Sequence, residues 1–348
     1  MATSTLQAAK YAKNDEFYTQ LIDIEKELKH YREQFRGKVI YCNCDDPFES
    51  NFFKYFTLNF NALGLKRLIA TSYKPSPVAN TQVSLFGDNV ILEPAKGRPK
   101  VTANRFIINE VGDLDGDGAF DLKDIAEQLK ANKNNEWAPL EGDGDFRSPE
   151  SIELLKQADI VVTNPPFSLF REYVAQLVEY NKRFLIIGNI NAITYKEIFK
   201  LVKENKAWLG INMGRGISGF IVPDHYELYG TETRIDDLGN RIISPNNCLW
   251  LTNLDTSKRH EDIFLTKKYR GNEIKYPKFD NYDAINVNKT QDIPIDYNGV
   301  MGVPITFLHK YSPEQFELIK FRKGNDEKDL LINGKCPYFR ILIKNKRL

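Results

Sequence analysis

Several features are scarce or missing in this sequence, and each absence narrows what the protein can be. No apolar run approaches the roughly 18–20 residues that a membrane-spanning helix needs, and residues 1–13 lack the apolar centre of a secretion signal. Only four cysteines occur, and none has the C-x-x-C spacing of a metal site. We therefore expect a cytoplasmic protein with reduced thiols, no contact with a membrane, and a flexible leader over residues 1–13.

Excess charge of either sign is also missing. The chain has 48 Lys and Arg against 47 Asp and Glu, which gives a net charge of +1. A neutral total neither demands nor excludes nucleic acid as a partner, because a local basic face is sufficient for binding. The length of 348 residues allows one large domain or two ordinary ones.

Apolar strands and amphipathic helices alternate along the first half of the chain. The spacing predicts a helix over 15–35, a strand over 39–42, a helix over 51–62 that stops at Gly64, and a strand over 68–70. The pattern resumes with helices over 151–158, 169–180 and 195–205 and with strands over 160–162, 184–187, 220–222 and 249–251. This order predicts an α/β fold with a doubly wound, mostly parallel sheet.

The regular alternation is interrupted twice. Prolines punctuate residues 74–140, which we interpret as an insertion containing one strand at 106–108. The main domain then spans 14–254, and residues 255–348 form a C-terminal region whose clearest helix signal lies at 313–321.

The strongest chemical signal is an apolar strand that ends in Asn164, Pro165, Pro166 and Phe167. Open α/β sheets bind ligands at the carboxyl ends of their strands. The prolines fix the backbone and remove N–H donors, so carbonyl oxygens and the Asn164 side chain can accept from an exocyclic amine. Phe167 offers a flat apolar face for a stacked base. An isolated Asn-Pro-Pro also serves as a structural turn, but the strand before it and the Phe after it favour a site.

This motif resembles the catalytic motif of amino methyltransferases that act on adenine, and the wider context resembles the EcoRI DNA adenine methyltransferase family. The matching segments are residues 15–20, 41–47, 142–148, 164–170, 219–223, 244–250 and 298–306. The resemblance implies a Rossmann-like S-adenosylmethionine-dependent methyltransferase fold with a C-terminal DNA-recognition region. It also implies double-stranded DNA as the substrate, with GAATTC as the target and a cognate restriction endonuclease in the same system. We expect a monomer, because a duplex methylated one strand at a time needs no twofold protein.

The resemblance also implies roles for particular residues. Asn164, Pro165, Pro166 and Phe167 would hold the target adenine after it leaves the base stack. The residues implied to bind S-adenosylmethionine are Asp15, Phe17, Thr19, Asn43, Asp45, Asp46, Pro47, Asp145 and Phe146. A carboxylate beside the cationic methionine amine is favourable, although each of these acids also suits a helix cap or a turn. The usual glycine-rich cofactor loop is missing, because Glu49 and Ser50 follow Phe48.

A second pattern lies inside the predicted insertion. Carboxylates occupy positions 1, 3, 5, 9 and 12 of a calcium-loop pattern, with Gly118 at position 6. These carboxylates are Asp113, Asp115, Asp117, Asp121 and Asp124. The pattern predicts a structural Ca²⁺ site, and the alternative is an acidic surface turn.

Two other functions remain compatible with the sequence. Asn-Pro-Pro followed by an aromatic residue also serves enzymes that methylate the side-chain amide of protein glutamine. The missing glycines also allow a degenerate, calcium-organised module that binds DNA without catalysis. Candidate base-reading residues are Arg215, Asn246, Asn247 and His309.

Overall fold

The computed structural model of the chain describes residues 18–44, 50–72, 81–86, 89–94, 103–112, 134–213, 217–222, 233–237, 239–243 and 247–348. The strands in these residues are β1 (Tyr18–Thr19), β2 (Val39–Cys42), β3 (Arg67–Thr71), β4 (Thr81–Phe86), β5 (Asn89–Pro94), β6 (Asn104–Ile108), β7 (Glu136–Pro139), β8 (Ile160–Thr163), β9 (Arg183–Asn189), β10 (Trp208–Leu209), β11 (Phe220–Val222), β12 (Thr233–Ile235), β13 (Arg241–Ile243), β14 (Cys248–Thr252), β15 (Lys278–Phe279), β16 (Tyr282–Asn286), β17 (Val300–Pro304), β18 (Phe316–Phe321) and β19 (Arg340–Asn345).

The helices in the same residues are short. The α-helices are α1 (Leu21–Leu28), α2 (Arg32–Phe35), α3 (Asn51–Leu58), α4 (Phe60–Leu63), α5 (Pro149–Gln157), α6 (Phe170–Glu179) and α7 (Lys196–Lys203). The 3₁₀ turns are Phe167–Leu169, Ile190–Thr194, Ser257–His260, Glu273–Lys275, Thr290–Asp292 and Ile305–Lys310. None of these described helices has the length and apolar composition of a membrane span.

The chain divides into two compact units. The first takes in the described residues of Met1–Ala192 and Asn212–Leu254, and the second takes in Ile193–Ile211 and Asp255–Leu348.

The first unit is built on a mixed sheet. Within this unit, neighbouring strands of the sheet follow the order β14-β9-β8-β2-β3-β6-β7. The central strands β9, β8, β2 and β3 are parallel, whereas β14, β6 and β7 pair antiparallel at the two edges. The strands β6 and β7 lie within residues 74–140, the predicted insertion. The strand order reverses beside β2, because β3 lies on one side of it and the later β8 on the other.

The central strands are apolar because both of their faces are covered. Every residue of β2 and of β8 is buried. Parallel sheets with helices on both faces require such continuous apolar strands. The core around them includes Phe35, Phe56 and Trp250, all of which are inaccessible to solvent or nearly so.

Three predicted helices differ from the observed elements. The single helix over 15–35 is wrong within the described residues, because Tyr18 and Thr19 form a strand paired with β11 and the helix is broken between α1 and α2. The helix over 51–62 is interrupted at Asn59, whose side chain donates to Tyr55 O at 2.8 Å. The predicted stop at Gly64 is confirmed, since this residue has the left-handed φ of +62° that favours glycine.

The helix predicted over 313–321 is also wrong. Residues Phe316–Phe321 form β18, which pairs antiparallel with β19. Long-range pairing therefore overrides the local helix signal in this segment.

The first unit also contains a small antiparallel sheet, which includes the strand β1. Its order is β1-β11-β13-β12, with Thr19 paired to Phe220. The buried Asp23 of α1 accepts from the Ser218 backbone N–H and hydroxyl, both at 2.8 Å, just before β11 begins. Burial raises the pKa of the Asp23 carboxyl.

The second unit contains a five-stranded sheet in the order β15-β16-β17-β19-β18. Of the four pairs of adjacent strands in this sheet, β16 and β17 are parallel and the other three pairs are antiparallel. Phe279, Ala284, Leu330 and Leu342 form an apolar cluster in this unit. Helix α7 packs on β18, where the Phe199 and Phe321 ring centres lie 5.3 Å apart.

Candidate active site

The Asn164–Phe167 motif directly follows β8 at the carboxyl end of the parallel sheet. The neighbouring strand β2 pairs with β8 in register, Tyr41 opposite Val161. Asn43 directly follows β2, so Asn43 and Asn164 leave the same edge of the sheet on adjacent strands. Pro165 is buried, whereas Asn164 and Phe167 are half-buried. This edge is the point at which the strand order reverses, which is where open α/β sheets form their ligand crevice.

Phe167 contacts the small sheet that contains the N-terminal strand. Its ring meets the Phe220 ring edge to face, with centres 6.2 Å apart. Phe220 is the residue paired with Thr19 in β11 and β1. Phe220 therefore links the motif after β8 to Thr19, the one residue of the predicted N-terminal cofactor motif that lies in the described part of the chain.

Thr19 lies at the beginning of the helix that follows β2. Its carbonyl oxygen accepts from Asn51 Nδ2 at 2.8 Å, and Asn51 is the first residue of α3. The side chain of Ser50 caps this helix by accepting from Phe52 N at 3.1 Å. Thr19 is only 3% exposed, and its hydroxyl oxygen makes no hydrogen bond to any described residue.

Asn43 is held by a tyrosine from a distant part of the chain. The Tyr173 hydroxyl on α6 donates to Asn43 Oδ1. The amide nitrogen of Asn43 is buried and has no hydrogen-bond partner among the described residues. A buried polar atom without a partner costs free energy, so both Asn43 Nδ2 and Thr19 Oγ1 favour a bound polar ligand.

The loop that carries Asp145 and Phe146 is pressed against the end of β3. A Cβ atom at Gly144 would overlap Ser72 O and lie 2.8 Å from Ala103 Cβ, and Gly144 has a φ of +76°. Only glycine therefore fits at this close approach. Phe146 is buried, and its ring meets the Tyr173 ring at 5.0 Å in an edge-to-face contact. Tyr173 thus touches both Asn43 and Phe146.

Asp145 forms an ion pair within its own loop. Its Oδ2 accepts from Arg147 Nη2 at 2.7 Å, and its Oδ1 accepts from the Arg147 backbone and Nε. Hydrogen bonding from Arg147 lowers the pKa of Asp145, so this carboxylate is ionised at neutral pH. Arg147 is further held by Glu172 on α6 at 2.9 Å. A carboxylate oxygen offers two acceptor directions, so Oδ2 can accept one more hydrogen bond.

These side chains suit the cofactor that the resemblance implies. The unsatisfied Asn43 amide is a donor, the Thr19 hydroxyl donates or accepts, and Asp145 is an anionic acceptor. Phe146 and Tyr173 supply aromatic surface beside them. S-adenosylmethionine carries a zwitterionic amino acid and an adenine, which require these kinds of groups.

Several predicted residues lie outside the described part of the chain. These are Asp15, Phe17, Asp45, Asp46 and Pro47 of the cofactor set, and Asp113, Asp115, Asp117, Asp121 and Asp124 of the calcium pattern. Within the described ranges, no group of three or more His, Cys, Asp or Glu side chains is arranged to hold a metal ion.

Two of the four candidate base-reading residues lie in the described part of the chain. Arg215 and Asn246 lie outside the described residues. Asn247 belongs to the first unit, where its carbonyl oxygen accepts from Ile190 N at 2.6 Å. His309 is exposed on a 3₁₀ turn of the second unit.

Three residues of this site were given no role from the sequence: Tyr173, Phe220 and Gly144. Tyr173 reads as one more buried position of an amphipathic helix, and nothing local indicates that its hydroxyl reaches Asn43. Phe220 falls in a matching segment, but only the pairing of β11 with β1 places it beside Phe167. Gly144 stands in a Gly-Asp-Gly-Asp run, where the alternation of glycine with aspartate was a usable turn signal.

The sequence is similar to known proteins over nearly its whole length. The family model described as "Adenine-specific methyltransferase EcoRI" matches residues 5–346. The chain is 62% identical over 343 residues to the Type II methyltransferase M.EcoRI of Escherichia coli, covering 99% of this chain and 97% of that protein. It is 38% identical over 365 residues to the Type II methyltransferase M.MgeORF184P of Mycoplasma genitalium, covering 98% of each. It is 40% identical over 313 residues to the Type II methyltransferase M.MpnI of Mycoplasma pneumoniae, covering 89% and 83%. No solved structure matches the chain significantly. The chain therefore belongs to the EcoRI family of adenine-specific methyltransferases.

Proposed function

We propose that this enzyme transfers a methyl group from S-adenosylmethionine to N6 of an adenine in double-stranded DNA, as the modification half of a restriction-modification system. The observation that carries the proposal is the position of Asn164–Phe167 at the strand-order reversal, beside Asn43 on the neighbouring strand. The family match favours this activity over glutamine methylation and over a degenerate binding module. The mixed sheet with parallel central strands supports a Rossmann-like S-adenosylmethionine fold for the first unit.

The cofactor would be held by groups from three parts of the chain. Thr19 and Asn43 would use their unsatisfied polar atoms, and Asp145 and Phe146 would take the cofactor's adenine by a hydrogen bond and an aromatic contact. Asp15, Phe17, Asp45, Asp46 and Pro47 keep their predicted cofactor roles. When bound, S-adenosylmethionine supplies an electrophilic methyl group on a sulfonium.

The target adenine would be held by the motif after β8. Asn164 and the backbone carbonyl oxygens beside the prolines would accept from the exocyclic amine and direct its lone pair out of the ring. Phe167 is half-buried, so part of its ring surface remains accessible for stacking against a flipped base. No protein nucleophile is needed, and the buried Cys248 thiol is unsuited to that role, because burial raises its pKa to about 12.

The target sequence and the partners follow from the resemblance. We propose GAATTC as the target, a monomer as the active form, and a cognate restriction endonuclease as the other half of the system. Residues 255–348 would contribute to target recognition. The calcium pattern of Asp113–Asp124 remains a separate prediction, which calorimetric titration with Ca²⁺ would test.

Methyl transfer from radiolabelled S-adenosylmethionine tests the proposal. We expect label on a GAATTC duplex, recovered as N6-methyladenine, and none on a scrambled duplex or on bare protein. Label on the scrambled duplex as well would retain the enzyme class and reject the target. Absence of label from both duplexes would reject DNA methylation.

The Asn164→Ala variant tests the site. It should lose most of its turnover and still bind S-adenosylmethionine, because Asn164 is assigned to the adenine. Wild-type turnover in this variant would refute the assignment.

A further inference from the structure

The positive charge of the protein is concentrated in its C-terminal region. Residues 255–348 have 18 Lys and Arg against 13 Asp and Glu, whereas residues 1–254 have 30 against 34. Although the net charge of the whole chain is close to zero, the C-terminal region has five more positive than negative side chains. A local surplus of this kind favours a polyanionic partner.

Part of this charge lines a cavity in the second unit. The cavity has a volume of about 220 Å³. Its lining residues are Lys267, Lys268, Asn272, Lys275, Tyr276, Asn288 and Asp292. The three lysines are exposed, and among the described residues none of them forms a salt bridge. With Asp292 as the one carboxylate, the lining has a net charge of +2.

The polar groups around the cavity are oriented by hydrogen bonds. Lys275 Nζ donates to Asn272 Oδ1 at 3.0 Å, which fixes this ammonium near the cavity. The Tyr276 hydroxyl donates to Asp292 O at 3.0 Å, which holds the backbone at a second lining residue. These contacts leave the ammonium groups with further donors for a ligand.

Asn288 is oriented by a buried arginine. Its Oδ1 accepts from Asn286 Nδ2 at 2.9 Å and from Arg340 Nη2 at 3.2 Å, so its amide nitrogen is the group left to donate. Arg340 is only 7% exposed, and its other partners are the neutral oxygens Asn286 Oδ1 and Tyr338 O. No carboxylate among the described residues forms a salt bridge with this guanidinium, so it adds positive charge behind the cavity wall.

We propose that this cavity binds a backbone phosphate of the DNA substrate, through Lys267, Lys268, Lys275 and the Asn288 amide. A phosphodiester carries only acceptor oxygens and one negative charge, which matches ammonium and amide donors. The inference rests on the proposed function, because DNA is the polyanion that the enzyme acts on. Contacts to phosphate position a duplex without reading its sequence.

Three variants test the cavity: the Lys267→Gln/Lys268→Gln double variant, Lys275→Gln, and Lys328→Gln as a control. Lys328 is an exposed lysine of the same unit that does not line the cavity. Binding to a labelled GAATTC duplex and to a scrambled duplex is measured by fluorescence anisotropy over a range of salt concentrations. Each cavity substitution should weaken binding to both duplexes by a similar factor and reduce the slope of log K against log salt by about 1 per lost contact. Lys328→Gln should behave like the wild type, and all variants should keep wild-type affinity for S-adenosylmethionine.

Several results would overturn the proposal. Unchanged DNA affinity and salt slope in the cavity variants would remove the phosphate contact. A loss confined to the GAATTC duplex would indicate base reading instead. Thermal stabilisation of the wild type by inorganic phosphate alone, lost in the cavity variants while DNA binding is retained, would assign the cavity to a free anion. Wild-type methylation of GAATTC in the same preparation separates these outcomes from failure of the proposed function.

Discussion

Replacing Tyr173 by Phe removes one hydroxyl group from the buried centre of the candidate site. Tyr173 is inaccessible to solvent, and its hydroxyl donates to Asn43 Oδ1. The other contact to this oxygen is the Cys44 thiol at 3.7 Å, a weak donor. The substitution therefore leaves a buried acceptor largely unsatisfied, which costs about 1–3 kcal/mol.

The substitution should lower both the stability of the protein and its affinity for the cofactor. Without the tyrosine hydroxyl, Asn43 is no longer held with its amide nitrogen directed away from Tyr173. We expect a loss of about 1–3 kcal/mol in the free energy of unfolding and at least a roughly fivefold rise in the Kd for S-adenosylmethionine. Turnover at saturating cofactor should change little, because Asn164 is untouched. Urea unfolding and isothermal titration calorimetry measure the two quantities.

Tyr31→Phe is the matched control. Tyr31 is 1% exposed, and its hydroxyl donates to Glu27 Oε1 at 2.9 Å, in the same unit but outside the candidate site. Its loss should cost similar stability and leave cofactor affinity unchanged. Wild-type affinity in Tyr173→Phe, or an equal loss of affinity in both variants, would refute the reasoning.

Two further predictions concern the loop before α5 and a histidine in the second unit. Gly144→Ala should weaken cofactor binding and should destabilise the protein by more than Gly37→Ala. Both glycines have positive φ, but only a Cβ atom at Gly144 would overlap Ser72 O. Equal shifts in melting temperature for the two variants would contradict this prediction. Hydrogen bonds to Asp255 and Glu314 raise the pKa of His260, so its stabilising effect is complete below the unfolded pKa of about 6.5 and is lost as pH rises through the folded value. The stability difference between wild type and His260→Asn should therefore be larger at pH 6 than at pH 9, and a pH-independent difference would disprove it.

Local pattern predicted the elements that lie at the centre of the first unit. The apolar runs at 39–42 and 160–162 became β2 and β8, because a strand buried on both faces must be apolar throughout. The Gly64 stop followed from the conformational freedom of glycine. The Asn164–Phe167 motif needed no tertiary information, since its residues are contiguous and their chemistry is local.

Local pattern failed where a distant strand changes the outcome. Residues 316–321 have a helical spacing of apolar side chains, but pairing with β19 makes them a strand. Tyr18 and Thr19 leave the predicted helix for the same reason, because β11 supplies their backbone partners. Hydrogen bonding between strands far apart in sequence decided these segments.

The sequence by itself determined the family, the position of the Asn164–Phe167 motif and the strands β2 and β8 beside it. The tertiary structure alone decided that Tyr173 joins Asn43 to Phe146, that Phe220 joins Thr19 to Phe167, and that three lysines line one cavity. The physical reason is that periodicity and turn chemistry act within a few residues. Contacts between side chains distant in sequence exist only after the sheet has set its strand order and register.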